Sequence, residues 1–154
     1  VNVEAERITT RDVVNRYMRI ALGGRAADMV FGTGSNAGAA SDLAKATHIA
    51  ASARINWGLA DRLMYAGEEM IGRLLLSDRT LAEQVEADLS SALADAKAIV
   101  SDRARLVFTF ADALLARDVL SRSDIEDIAR QCGGDVQTDP GEARSAGPRT
   151  HMLN

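Results

Sequence analysis

Leu81, Val85, Leu89, Ala92, Ala96 and Ile99 recur at spacings of three and four, which is one apolar stripe along a helix beginning at Asp78. Glu83, Glu86, Asp88 and Asp95 fall on the opposite, wet side of that helix. A second such pattern lies upstream, where Val13, Val14, Tyr17, Ile20 and Ala21 form an apolar face behind Thr9 or Thr10 as the cap. Thr9 with Asp12 three residues on is a weaker relative of the capping box. The helical run continues through 26–30, and Gly23-Gly24 inside it costs about 1 kcal/mol per residue relative to Ala. Such a pair reads as a notch against which another backbone packs.

Between these two patterns, the stretch from Gly38 to Gly58 reads as one capped helix. Leu43, Ala46, Ala50, Ala53 and Trp57 make its buried face, Ser41 its N-cap, and Gly58 its stop. Asp42 then takes the first helical position, beside unpaired amides and the positive end of the helix dipole. Residues 32–40 are Gly, Ala, Ser, Thr and Asn, a bending loop. Residues 59–77 read as irregular, with a turn of helix around 68–75, and offer Met64, Tyr65, Met70, Ile71 and Leu74, Leu75 and Leu76 for burial.

After the long helix, Ser101-Asp102 restarts the chain as a second one that buries Leu106, Val107, Phe110, Leu114 and Leu115. A short connection of this kind predicts antiparallel neighbours. Ser121-Arg122-Ser123-Asp124 caps a last short helix carrying Ile125 and Ile128. The expected organisation is a tail or linker at 1–8, a helical domain at 9–131, and a disordered tail at 132–154 rich in Gly, Asp, Pro, Arg and Ser. The expected fold class is all-α, a bundle of about four to five helices.

Composition sharpens this reading. Aromatic residues are 4% of 154, prolines number two, and alanine abounds, which favours helices over strands. The length suits one domain with a real core. A net charge of −4 with both signs interspersed leaves no basic stripe, which argues against a nucleic-acid partner. The single Cys132 forms no internal disulfide. No apolar run approaches a membrane span, so no membrane contact by this piece is expected. A first residue of Val points to a chain cut from something longer.

For chemistry, the residues by themselves offer little. An Asp in a first helical turn is ordinarily just a good electrostatic fit. A zinc peptidase needs H-E-x-x-H, two histidines one turn apart with the Glu as general base, plus a third ligand and an open position. The only histidines are His48 and His151, and neither belongs to such a motif. Asp42 and His48 are six apart on one helix and cannot share an ion. Glu68-Glu69 reads as solvated charge and Cys132 as an incidental thiol. No Gly-rich loop ending in Gly-Lys-Ser/Thr is present to hold ATP.

Resemblance adds what spacing does not. Gly38-Ala39-Ala40-Ser41-Asp42-Leu43, then Ala46-Thr47, then Trp57-Gly58-Leu59-Ala60-Asp61, resembles the T-G-A-S-N-D-I…A-T…E-W-G-M-S-D signature of the FtsH family, the AAA-type ATP-dependent zinc metalloproteases. Gly23-Gly24-Arg25-Ala26-Ala27-Asp28 with Phe31-Gly32 is similar to that family's G-G-R-A-A-E-E…F-G block. Leu114-Leu115…Asp118-Val119-Leu120…Asp124-Ile125 is similar to its L-L-x-x-E-T-L-x-x-x-E-I. The likeness covers roughly residues 9–130.

The resemblance implies that Asp42 is the third protein ligand of a catalytic zinc whose H-E-x-x-H helix lies upstream of Val1. ATP and magnesium would sit in a separate module. The parent protein would degrade unfolded or membrane-extracted proteins, as a hexameric homo-oligomer, on the cytoplasmic face of a bacterial-type inner membrane or free in the cytoplasm. This piece, soluble and holding no catalytic or cofactor-binding residue besides the metal ligand, is expected to be inactive alone. The alternative is a stand-alone, degenerate, non-catalytic helical interaction or assembly domain.

Overall fold

Thr10 opens the first helix, α1 (Arg11–Ala21), by accepting the Val13 amide on its side chain at 3.4 Å. The computed structural model describes residues 10–32, 40–60 and 65–133. Thr9, Met64, most of the 32–40 loop, the tail at 1–8 and nearly all of the expected tail at 132–154 lie outside the described residues. Leu22 (φ −86, ψ −1) joins α1 to α2 (Gly23–Phe31), which ends on Gly32 at φ 78. The Leu22 amide reaches Met18 O and the Ala26 amide reaches Leu22 O, both at 2.9 Å, so the hydrogen-bond ladder crosses the junction.

Next come α3 (Ala40–Ile55), a single 3-10 turn (Glu68–Met70), α4 (Ile71–Ser77) and α5 (Arg79–Asp102). Asp78 caps α5 by accepting the Leu81 amide at 3.0 Å. α6 (Ala104–Arg117) and α7 (Arg122–Gln131) complete the chain. The fold is all-α, with seven α-helices and no strand among the described residues. The count exceeds four to five because Leu22 divides one expected helix and the 71–77 stretch forms a helix of its own.

The chain divides into two compact units with the boundary between Arg103 and Ala104. In the first, α5 is the shared partner: α1, α2, α3 and α4 all pack on it, and α3 also touches α1 and α4. Its stripe enters the core as expected at Leu81, Val85, Leu89, Ala92 and Ala96, while Ile99 stays exposed past the end of the packing. α1 buries Val14 and Met18, and the joining Leu22 and then Ala26 continue that line into α2. The expected face was one residue off, so Ile20 is exposed and Val13 and Tyr17 are half-buried.

Among the described residues no neighbour packs into the expected notch at Gly23-Gly24. A Cβ at either position would meet nothing within 4 Å. Tyr65 and Leu76, expected to be available for burial, are exposed; on α4, Ile71 is buried and Leu74 and Leu75 pack against the core. A short helix has room for only one inward stripe.

In the second unit α6 packs on α7. No residue of α6 is buried: Leu106, Val107 and Phe110 are half-buried, whereas Phe108, Leu114 and Leu115 are exposed. Within this unit α6, of 14 residues, packs on α7, of 10. Asp118 ends α6 in the left-handed region at φ 59, a position that favours glycine. Ser121 caps α7 as expected, and with Asp124 it forms a capping box, the Asp124 amide donating to Ser121 Oγ at 3.2 Å. Ile128 is half-buried beside the buried Ala129, and Ile125 is exposed.

Two outcomes follow from these geometries. Gly24→Ala should raise the stability of the first unit by about 0.5–1 kcal/mol, because a helical Gly with open space around it gives up backbone entropy for nothing. Urea denaturation measures this, and a loss of stability would mean that Gly24 is needed for its shape.

The second outcome concerns pH. The Ser121 hydroxyl donates to Asp124 Oδ2 at 2.6 Å and the Ser121 amide to the same oxygen at 2.9 Å; Arg117 Nη1 lies 2.8 Å from Oδ1. These contacts hold the Asp124 carboxyl below its ordinary value of 3.8. The folded state therefore favours the ionised form. The stability this gives is complete above about pH 4 and is lost as pH falls through the lowered folded value. Cα chemical shifts of α7 recorded from about pH 5 to pH 2 should show its first turn fraying at the acid end. Asp124→Asn should abolish that dependence.

Candidate metal centre

Asp42 sits in the first turn of α3, as expected, but as the third helical residue. The helix begins at Ala40, so Ser41 is inside it and is not the N-cap. The Asp42 side chain is 45% exposed, and Lys45 Nζ lies 3.0 Å from its Oδ1. Among the described residues no partner reaches Oδ2.

The rest of α3 explains why this carboxylate has a fixed place. Ala46, Ala50, Ala51, Ser52, Ala53 and Ile55 are buried, which sinks the C-terminal half of the helix into the core and leaves its head half-exposed. Leu43 and Trp57, expected on the buried face, are exposed and half-buried respectively, because they lie at the two ends. Arg54 sets the helix rotation: Nε donates to Asp88 Oδ2 at 2.6 Å, Nη2 to Oδ1 at 2.8 Å, and Nη1 to Gln84 Oε1 at 3.1 Å. This fork joins α3 to α5 in the bidentate geometry that arginine supplies and lysine does not. A small cavity of about 130 Å³ beside it is lined by Arg11, Asn15, Arg54, Asp88 and Ser91 among others. It belongs to this clamp, and Asp42 does not line it.

α3 ends at Ile55, three residues before Gly58, which turns the chain at φ 64. The Leu59 amide reaches back to Ala53 O at 3.3 Å, and an Arg11 guanidinium nitrogen donates to Leu59 O. Farther on, Gly67 at φ 79 leads into the 3-10 turn. There Glu68 is not merely solvated. Its Oε2 lies 3.0 Å from His48 Nε2, and Asn56 Nδ2 donates to its Oε1 at 3.2 Å. Asn56 Oδ1 in turn accepts the Ala66 amide at 3.4 Å, so the turn is tied to the middle and end of α3.

His48, half-exposed as expected, is thus engaged by Glu68 and is not brought to Asp42. His151 lies outside the described residues. Cys132 is half-buried at the end of α7, its Sγ 3.7 Å from Thr109 Oγ1. Among the described residues no group of three or more His, Cys, Asp or Glu could hold a metal ion. Asp42 fits zinc as one ligand: a carboxylate oxygen is a proper donor, and no described residue occupies Oδ2. The other donors of a tetrahedral site are not among the described residues.

Sequence reasoning missed three features here. Lys45 carried a signal, since a residue three on from an Asp lies beside it on a helix. The Arg54–Asp88 fork and the Asn56–Glu68 bond carried none, because only tertiary packing brings those pairs together.

The fold and site define a class, an all-α scaffold that offers a single carboxylate donor at the head of a buried helix. Comparison with known families makes it particular. Peptidase family M41 matches residues 2–128, and the chain belongs to that family. It is 29% identical over 145 residues to the ATP-dependent zinc metalloprotease FtsH of Syntrophotalea carbinolica, covering 85% of this chain and 22% of that protein. It is 35% identical over 138 residues to the ATP-dependent zinc metalloprotease YME1L of Drosophila melanogaster, covering 83% and 19%. FtsH of Neorickettsia risticii is 30% identical over 134 residues, 81% of this chain and 21% of that protein. The chain therefore spans about a fifth of the length of these curated relatives. No solved structure matches it. No helix among the described residues is long and apolar enough to cross a membrane.

The clamp gives this site its own expected outcome. Arg54→Ala should destabilise the first unit by about 2 kcal/mol, since it removes three charge-assisted or polar bonds and strands Asp88. Chemical denaturation checks this, and a change below about 0.5 kcal/mol would mean that Arg54 is only a surface pair.

Proposed function

We propose that this chain is the C-terminal helical part of the peptidase domain of an ATP-dependent zinc metalloendopeptidase, with Asp42 as the third protein ligand of the zinc. The observation that carries the reading is the family match over residues 2–128 together with an Asp42 carboxylate half-exposed at the head of α3, one oxygen of which no described residue reaches. When bound, zinc lowers the pKa of its water to about 7 and polarises the scissile carbonyl. Asp42 supplies a fixed anionic donor for it. The buried alanines of α3 and the Arg54–Asp88 fork keep that donor from moving with the surface.

On this reading the histidines and the general base come from another segment of the protein, and ATP and magnesium bind a separate module. The substrates are unfolded or membrane-extracted proteins delivered by ATP-driven threading through a hexameric ring. That ring works in the cytoplasm or on the cytoplasmic face of a bacterial-type inner membrane. The present chain alone has no peptidase activity. A second reading, a non-catalytic helical interaction or assembly domain, draws support from the exposed apolar residues Phe108, Leu115 and Val119.

One substitution separates the two. In the full-length protein, Asp42→Asn should lower proteolysis on the order of a hundredfold or more, because even partners of metal ligands are worth 10–100-fold. ATP hydrolysis should persist. Proteolysis at the wild-type rate would remove Asp42 from the metal site, and a full-length wild-type protein without peptidase activity would favour the second reading.

A further inference from the structure

We infer that Lys45 weakens and thereby tunes the hold of Asp42 on a divalent metal ion. The inference rests on the reading of Asp42 as a ligand. Lys45 follows Asp42 by three residues, and its Nζ lies 3.0 Å from Oδ1. Among the described residues neither side chain has another charged partner. The ammonium thus engages one carboxylate oxygen, and among the described residues no partner reaches the other.

Two effects of opposite sign follow, and their sizes decide the outcome. By holding the carboxylate in one orientation, the ion pair spares the metal part of the ordering cost. A pair at this spacing on a helix is worth about twofold in an equilibrium constant. Against that, the ammonium stands a few ångströms from wherever an ion on Asp42 must sit. Repulsion between a doubly charged ion and one ammonium at such a distance is on the order of tenfold in affinity even at a water-like dielectric. The Lys45 side chain is 60% exposed, so water-like screening is the proper limit. Repulsion wins. In the metal-free protein the same ammonium balances the carboxylate at the head of α3, so the site is stable before loading and the ion is held exchangeably. Lys45 acts through Asp42 and is a positioning residue.

The test is a zinc competition titration of the full-length protein against a chromophoric chelator, which reads affinity without reference to activity. Lys45→Met should hold zinc about tenfold more tightly than wild type. Lys45→Arg, which keeps the charge, should stay within about twofold. Lys45 is exposed, and circular dichroism checks that both variants fold. An ordinary surface ion pair would leave zinc affinity unmoved in Lys45→Met. That result, or a weakened affinity, overturns the inference, provided that Asp42→Asn releases zinc. If Asp42→Asn binds zinc as wild type does, the ligand reading itself fails and takes the inference with it.

Discussion

Everything in the first unit depends on how closely α3 can lie against its neighbours. Ala46, Ala50 and Ala51 are within 1% of complete burial, and each presents only a methyl group to the packing around α3. Helix separation follows the size of the side chains at the contact, so an alanine-lined helix sits deep. Larger residues there would have to push apart helices that are already packed on a common partner. Ser52 belongs to the same set of small residues. It is fully buried, and among the described residues its hydroxyl has no hydrogen-bond partner. Chain closeness, not any single strong bond, gives α3 its fixed axis.

Polar contacts then set what closeness leaves free, the rotation and the ends of α3. The Arg54 fork anchors one side to α5, and the Asn56–Glu68–His48 bonds fasten the following turn along the helix. These pairs all lie in the middle or the C-terminal part. Among the described residues no polar contact to another element holds the head of the helix, with Asp42 and Lys45. A bracket built this way presents a carboxylate to an incoming group without having to rearrange.

The parts of this arrangement that could be seen in the sequence are those with one wet side. The α5 stripe was legible because Glu83, Glu86 and Asp95 mark the face opposite the apolar one. α1 was harder. Apolar residues at 13, 14, 17, 18, 20, 21 and 22 support two adjacent stripes, and only contact with α3 and α5 selects Val14, Met18 and Leu22. The start of α3 was misjudged by two residues, since Ser41 has the chemistry of a cap but helix geometry already begins at Ala40. Burial in α6 was overestimated because a helical pattern says that a face is apolar, and not how much neighbour there is to cover it. Asp42 was singled out by motif, not by physics. Its lysine was within reach of a spacing rule, whereas the Glu68 bonds depend on a turn through Gly67 that no spacing rule anticipates.

The sharing of α5 by four helices has a consequence for the making of the protein. A ribosome delivers residues in chain order, and α1, α2, α3 and α4 all precede α5. Val14, Met18, Leu22, Ala46 and Ile71 therefore leave the exit tunnel with part of the surface they are to cover still to come, in a segment that finishes only at Asp102. During that interval the nascent chain can hold local helix but no completed core, the condition in which chains are most open to wrong partners. The order of the elements therefore places completion of this core after α5, although α1 can meet α3 before it.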